Sequence, residues 1–134
     1  MYLIGSHSLT AVCASQLFPS IYLPKDKGHG WPSSDTLRGY INSTVNRAVA
    51  QAAARSPRPP VLVFVWPLYL NGSTMLSAED LRASIELPYQ GCADGLVIWG
   101  SGQQVNSSAF WRYAQEQLGP MLQEVRSKPR PHCM

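Results

Sequence analysis

The sequence has few charges, no basic cluster and no long hydrophobic run. Eleven Lys and Arg residues against eight Asp and Glu residues give a net charge of +3, and the basic residues are scattered along the chain. A nucleic-acid surface needs clustered Lys and Arg, so we expect no nucleic-acid partner. The longest apolar run, residues 60–70, is well short of the roughly 20 residues that span a bilayer as a helix. We therefore expect no transmembrane segment.

Cysteine is also scarce. Cys13, Cys92 and Cys133 are an odd number, and no pair has the spacing of a metal site. We expect no metal and no other cofactor, and the sequence leaves the pairing of the three thiols open. No glycine-rich phosphate loop follows an apolar segment, which argues against a nucleotide-binding fold.

Three apolar segments are present, and they predict strands at residues 17–23, 61–69 and 96–99. The second is rich in Val and does not alternate with polar residues, which is typical of a strand buried on both faces. Each predicted strand is followed by a helical pattern. This order predicts parallel strands with crossover helices, as in a (β/α) barrel or a doubly wound sheet. Because a closed barrel takes about eight strands, a barrel would make this chain a piece of a larger domain.

The helical patterns have identifiable starts and stops. Asp35 is the expected N-cap of the first helix, Pro88 is expected to end the second, and Gly119-Pro120 is expected to break the third. The segment "GSGQQVNSS" before the third helix is expected to be a loop, and the C-terminal tail is expected to be a linker without a core to join. The predicted helices cover about Thr36–Arg55, Ser77–Leu87 and Phe110–Val125.

Aromatic residues lie near the carboxyl ends of all three predicted strands, where parallel α/β folds place their sites. Aromatic faces with hydroxyl and amide groups between them suit stacking and hydrogen bonding to sugars. The alternative is that these rings close the top of a core. The aromatic residues are Tyr22, Trp66, Tyr69 and Trp99, and the polar residues after the last strand are Ser101, Gln103 and Gln104.

The chain lacks a convincing acid for catalysis. Glycoside hydrolysis normally uses paired carboxyl groups, but Asp26 alone is placed to reach a strand end. Its neighbours Lys25 and Lys27 favour its charged form, which cannot donate a proton. The three histidines, His7, His29 and His132, lie in flexible-looking segments, and no Ser lies in the sequence context of a nucleophile elbow.

Three glycosylation sequons begin at Asn42, Asn71 and Asn106. Three such matches in a short chain favour the secretory pathway, and an extracellular or lysosomal location. The alternative is ordinary polar surface.

Four strings, "LFPSIYLP", "LSAEDL", "GCADGLVIWG" and "LGP", occur in an order and spacing that resemble the C-terminal part of the catalytic barrel of animal hyaluronidases, from about Leu17 to Val125. The resemblance implies the C-terminal portion, about three β/α units, of a distorted (β/α) TIM-like barrel. It also implies a glycoside hydrolase that cleaves hyaluronan, and often chondroitin, as an endo-β-N-acetylhexosaminidase. Tyr22 matches the tyrosine that positions the acetamido group, and Trp99 matches the tryptophan that walls the pocket around it.

The chain also departs from that family pattern. The catalytic D-x-E motif does not occur in the sequence, Leu70 or Asn71 replaces a common acidic residue, and Trp111 lies near the place of an expected cysteine. In the family that cysteine would bridge to the N-terminal half of the barrel, which is missing here. Cys133 lies near where the family's cysteine-rich C-terminal module begins.

These observations predict a partial hyaluronidase-like barrel over residues 17–126, between an irregular segment (1–16) and a tail (127–134). The expected ligand is hyaluronan or a related glycosaminoglycan, contacted by Tyr22 and Trp99, with Trp66 and Tyr69 as further candidates. The expected partner is the missing N-terminal half, without which the chain is expected to be inactive and poorly soluble. The alternatives are a non-catalytic glycan-binding or degenerate barrel protein, or an unrelated secreted α/β domain that binds a protein.

Overall fold

The fold is a three-stranded parallel sheet with helices packed on one face. The computed structural model describes residues 16–24, 34–70 and 73–133. The strand order is β1-β2-β3 and both pairings are parallel, which confirms the predicted partial β/α barrel. The strands are β1 (Ser20–Ile21), β2 (Leu62–Val65) and β3 (Gly95–Ile98). The helices are α1 (Ser34–Ala53), α2 (Ala78–Gln90), α3 (Gly102–Val105), α4 (Ser108–Tyr113) and α5 (Gly119–Ser127).

One face of the sheet, the covered face, carries aliphatic side chains that pack against the helices. Successive residues of a strand point to opposite faces, and Ile21, Val63 and Val65 on this face have no exposed surface. Leu81 and Ile85 of α2 belong to the same core. This layer of apolar side chains supplies the main driving force for folding.

The opposite face of the sheet, the open face, is defined by Phe18, Leu62, Phe64 and Val97. The register pairs Phe64 with Val97, and the rings of Phe18 and Phe64 form an edge-to-face pair with centroids 5.6 Å apart. Leu62 and Phe64 are half-buried, unlike their neighbours on β2. The prediction that the second strand is buried on both faces is therefore wrong for the described residues, because their helices cover only one face.

Helices α1 and α2 differ from their predicted bounds. Asp35 lies inside the first turn of α1, which begins at Ser34, so Asp35 is not the N-cap. Pro88 does not end α2 but lies within it, fully buried. A proline inside a helix removes one backbone hydrogen bond. Here the last turn is still closed, because the amide of Gly91 donates to the carbonyl of Leu87.

The C-terminal helices also run differently from the prediction. The expected loop contains α3, and no break occurs at Gly119-Pro120. A π-helical turn, Ala114–Leu118, instead joins α4 to α5. The amide of Gly119 donates to the carbonyl of Ala114, and a Cβ at Gly119 would lie 3.1 Å from that oxygen. The widened turn places Pro120 at the start of α5, where a missing amide proton costs little.

The tail is docked rather than free, contrary to the prediction of a linker with no core to join. Residues 128–133, the tail strap, fold back towards the end of α2. The phenol of Tyr89 donates to the carbonyl of Lys128 at 2.7 Å, and Arg130 donates to the carbonyl of Ala93 at 3.0 Å. A disulfide joins Cys133 to Cys92. Cys13 lies outside the described residues.

The amino end of the sheet carries an ion pair. Arg58 donates to both carboxylate oxygens of Asp94 at 3.0 and 3.1 Å, and the amide of Val61 donates to one of them at 2.8 Å. Desolvation is the largest influence on the pKa of Asp94 and raises it, but the hydrogen bonds and the Arg58 charge together hold that pKa below its usual range. Asp94 thus ties the start of β3 to the segment before β2.

None of the helices among the described residues has the combination of length and hydropathy that crossing a bilayer requires.

Candidate functional site

Tyr22, Trp66 and Trp99 converge at the carboxyl end of the sheet and form a three-ring cluster. Each follows one of the three strands directly. Because parallel strands end at the same edge, their following residues are brought side by side. The amide of Trp99 still donates to the carbonyl of Val65 at 3.2 Å, so the strand pairing itself sets where Trp99 lies.

The rings of the cluster have a defined geometry. The indoles of Trp66 and Trp99 are nearly parallel, with an interplanar angle of 14° and centroids 5.7 Å apart. The ring of Tyr22 stands edge-on to Trp66 at 6.3 Å and tilted against Trp99 at 5.8 Å. These offset and edge-to-face arrangements are the ones that aromatic quadrupoles favour. All three side chains are half-buried, so part of each ring faces solvent.

Neutral hydrogen bonds fix the cluster. The indole nitrogen Nε1 of Trp99 donates to the hydroxyl of Tyr22 at 2.9 Å. The indole Nε1 of Trp66 donates to Oε1 of Gln104 at 3.2 Å. Each indole therefore has its polar atom bonded, while its ring remains partly exposed. Such surfaces suit ligands that combine apolar faces with hydroxyl or amide groups.

Helix α3 supplies Gln104 to this arrangement. Ser101 caps α3, and its side chain accepts from the amide of Gln104 while Oε1 of Gln104 accepts from the amide of Ser101. Gly100 lets α3 come close to the strand end, because a Cβ there would lie 3.0 Å from Cγ1 of Val105. Gln104 was predicted from the sequence as one of the polar residues at the strand end, with no specific role. The Ser-x-x-Gln spacing, which is that of a capping box, is the signal that could have placed it.

Tyr69 lies apart from the three-ring cluster. Its side chain is buried in the core, and its hydroxyl donates to Oδ2 of Asp80 at 2.5 Å and accepts from the amide of Ser77 at 3.2 Å. Ser77 in turn caps α2 by accepting from the amide of Asp80. Burial, and next the hydrogen bond to Asp80, raise the pKa of the Tyr69 phenol. Tyr69 therefore links the N-cap residue Ser77 to Asp80 at the start of α2.

The other predicted site residues are scattered. Asn42 lies on the exposed side of α1, and Asn106 is exposed directly after α3. Asn71 and Asp26 lie outside the described residues. Gln103 is exposed, and His132 lies on the tail strap, far along the chain from the three-ring cluster.

Four of the seven described carboxylates have partners away from the three-ring cluster. Asp80 holds Tyr69, and Asp94 holds Arg58 at the amino end of the sheet. Glu86 pairs with Lys128, and Glu124 pairs with Arg82. Within residues 16–24, 34–70 and 73–133, no three His, Cys, Asp or Glu side chains come together as a metal site would require. The chemistry that these residues offer at the cluster is thus stacking and neutral hydrogen bonding.

A cavity of about 520 Å³ lies at the opposite end of the sheet from the three-ring cluster. It is bounded by α2, β3, α5 and the tail strap, with a mostly apolar lining that includes Pro88, Leu96, Leu122 and Val125. Its position beside the amino end of β3 separates it from the predicted site residues.

Comparisons with known proteins agree on one family. A family model described as hyaluronidase matches residues 11–133. The hyaluronidase of Apis mellifera is 31% identical over 116 residues, which are 81% of this chain and 29% of that protein. Hyaluronidase-1 of Sus scrofa is 32% identical over 117 residues, which are 83% of this chain and 26% of that protein.

Solved structures give the same result. The crystal structure of bee venom hyaluronidase matches with a TM-score of 0.71 and 31% identity, over 81% of this chain and 35% of that one. Its complex with a hyaluronic acid tetramer matches with a TM-score of 0.73 and 30% identity, over 84% and 35%. The chain therefore spans about a quarter to a third of the length of the proteins that it matches.

Proposed function

Because the chain belongs to the hyaluronidase family, we propose that its three-ring cluster is one wall of a site that holds an N-acetylhexosamine unit of hyaluronan or a related glycosaminoglycan. The observation that carries this proposal is the convergence of Tyr22, Trp66 and Trp99 at the carboxyl end of the sheet, with Trp99 bonded to Tyr22. Partly exposed rings stack on the apolar faces of sugar rings. The match to a bee venom hyaluronidase solved with a hyaluronic acid tetramer supports the choice of ligand.

We expect these 134 residues to bind the glycan without cleaving it. A hyaluronidase-type glycoside hydrolase needs paired carboxyl groups beside the bond to be broken. The sequence has no D-x-E motif, and hydrogen bonds to Tyr22 and Gln104 fix the cluster. The chain then supplies the pocket wall of an enzyme whose acids come from outside it. A non-catalytic glycan-binding protein is the second candidate, favoured by the same lack of D-x-E.

The open face of the sheet supports a partner for the chain. Phe18 is 37% exposed, and Phe64 beside it is half-buried. An exposed apolar sheet face is a typical site for another polypeptide. We propose that the N-terminal β/α units of a hyaluronidase-type barrel cover this face and bring the catalytic acids. A sharp cooperative melt of a strictly monomeric chain would count against this partner.

The binding test uses titration calorimetry of the full chain with hyaluronan hexasaccharide. Trp99→Phe is expected to weaken binding about tenfold, since lost stacking and the lost hydrogen bond to Tyr22 amount to about 1.4 kcal/mol. Trp111→Phe is the matched control, because Trp111 is a 57% exposed tryptophan on α4 and is expected to leave binding unchanged. Alginate, a uronate polymer without acetamido groups, is titrated in parallel as a control for binding that depends on charge alone. Equal effects of the two substitutions would refute the assigned site.

The cleavage test measures new reducing ends in hyaluronan at acidic pH. The chain alone is expected to release none. Mixing it with the remaining barrel units of the Apis mellifera relative is expected to restore release if the chain is part of an enzyme. Hyaluronan binding without restored cleavage would favour the non-catalytic glycan-binding protein.

A secretory route is the proposed location. Asn42 and Asn106 are exposed, as glycosylated asparagines must be, and two related proteins are described by their names as venom or salivary hyaluronidases. Expression in a eukaryotic secretory host followed by glycosidase treatment and mass spectrometry tests this. An unshifted mass at both asparagines would contradict it.

A further inference from the structure

The stacked pair of Trp66 and Trp99 has two polar anchors, one for each indole. Trp99 donates to the hydroxyl of Tyr22, which stands in the same cluster. Trp66 donates instead to Gln104, which comes from α3, outside the cluster. The orientation of Trp66 therefore depends on a residue that lies 38 positions further along the chain.

The side chain of Gln104 is itself fixed. Its Oε1 accepts from Trp66 at 3.2 Å and from the amide of Ser101 at 3.1 Å. Both partners are obligate donors, so the atom facing them must be the amide oxygen, whose two lone pairs allow two such bonds. The two donors therefore assign the orientation of the Gln104 amide.

Helix α3 is held close to the strand ends by the same small group of contacts. Ser101 caps it, and Gly100 permits the close approach, since a Cβ there would lie 3.0 Å from Val105 and 3.7 Å from Oε1 of Gln104. An indole without such a partner can rotate about its side-chain torsions and lose its parallel alignment. The hydrogen bond from Trp66 to Gln104 opposes that rotation.

We propose that Gln104 is a positioning residue for the three-ring cluster: its side-chain oxygen holds the indole of Trp66 parallel to that of Trp99. As a statement about sugar binding, this inference rests on the proposed function. Gln104 acts through Trp66 in this role, so its removal should misalign a ring rather than delete a ligand contact. The conservative replacement that keeps an acceptor should preserve the alignment.

The test compares four variants of the full chain by circular dichroism. Two indoles held in a fixed mutual orientation give an exciton couplet in the far ultraviolet when their transition dipoles are twisted relative to each other, and Trp66→Phe establishes which part of the signal comes from the pair. Gln104→Met, similar in length but without an acceptor, is expected to lower the couplet by about half or more, because a neutral hydrogen bond contributes enough to shift such an orientation severalfold. Gln104→Glu keeps the acceptor and is expected to retain the couplet. Gln103→Met is the control at an exposed neighbour.

Hyaluronan hexasaccharide titrations complete the test. Gln104→Met is expected to weaken binding about fivefold, and Gln104→Glu is expected to weaken it less. A full couplet in Gln104→Met would overturn the inference. If the wild-type chain shows the couplet, Gln104→Met loses it, and no variant binds hyaluronan, the proposed function fails while the positioning role of Gln104 is supported.

Discussion

The two ends of the sheet are held together by different kinds of interaction. At the amino end, a disulfide and ion pairs tie the tail strap and the start of β3 to their neighbours. At the carboxyl end, three half-buried rings are joined by stacking and neutral hydrogen bonds. Parallel β/α folds generally place stability determinants at the amino end and ligand sites at the carboxyl end. The two ends should therefore respond to different substitutions, one in stability and the other in binding.

The largest expected effect on stability is at the disulfide. Cys133→Ser opens a cross-link between residues 41 positions apart, and the chain-entropy model assigns such a loop about 4 kcal/mol. We expect this loss in urea unfolding followed by circular dichroism, with the affinity of the folded chain for hyaluronan unchanged. Cys13→Ser leaves the Cys92–Cys133 bond in place and is the control. A comparable loss of affinity in Cys133→Ser would break the separation between the two ends.

A second prediction separates two tyrosines near the carboxyl end. Tyr69→Phe leaves the amide of Ser77 and the carboxylate of Asp80 without their buried partner, so we expect it to cost about 2 kcal/mol in the free energy of unfolding. Tyr22→Phe removes a hydroxyl from a half-buried ring, and we expect a smaller cost but weaker hyaluronan binding. The reverse ranking of the two variants would contradict the assignment of Tyr69 to the capping of α2.

Asp94 offers a smaller test at the amino end. Asp94→Asn keeps an oxygen that can accept from Val61 but removes the charge that Arg58 contacts. We expect a loss of about 1 kcal/mol in the free energy of unfolding, with no change in the exciton couplet of Trp66 and Trp99. Glu116→Gln, an exposed carboxylate on the π-helical turn, should change neither quantity. A change in the couplet of Asp94→Asn would show that the two ends are coupled.

The smallest expected effect is a dependence on pH. The hydrogen bond from Arg82, helped by the charges of Arg82 and Lys128, lowers the pKa of Glu124 from 4.5 to about 2. Because the folded-state pKa is depressed, the unfolded chain binds more protons between these two values, so stability falls as the pH falls from about 4.5 towards 2. Glu124→Gln is expected to flatten this part of the profile of melting temperature against pH. Superimposable profiles would rule out the Arg82–Glu124 pair as a source of stability.

The sequence predicted the parts of this fold that depend on local pattern. Alternation of apolar strands with helical periodicity is enough to give parallel β/α units, and the resemblance supplied the roles of Tyr22 and Trp99. The site roles of Tyr22, Trp66 and Trp99 remain predictions, while their convergence follows from parallel pairing. The predicted start of the second helix at Ser77 was correct to within one residue, because N-caps are formed by residues within one turn.

Features that depend on packing escaped prediction. The local preference of proline predicts that the helix ends at Pro88. In the structure α2 continues to Gln90, because Pro88 is buried among packed side chains. Gly119-Pro120 similarly suggests a break, yet the π-helical turn accommodates both residues. The tail strap is held by partners up to 42 positions away along the chain. No sequence pattern in the tail predicts these long-range contacts. Gln104 was missed for the same reason, since Trp66 is its partner only in three dimensions.

The position of the tail strap also determines a suitable point for attaching the molecule to a sensor surface. Its disulfide fixes Cys133 beside Cys92, at the amino end of β3, while the three-ring cluster follows the carboxyl ends of the strands. A biotin acceptor placed after Met134 would therefore tether the chain to a sensor surface by one end of the sheet, with the rings directed towards the flowing solution. Hyaluronan is a long polymer, and it cannot reach the three-ring cluster if that end of the sheet faces the sensor surface. Immobilisation through this terminus gives it the unobstructed approach that random lysine coupling does not.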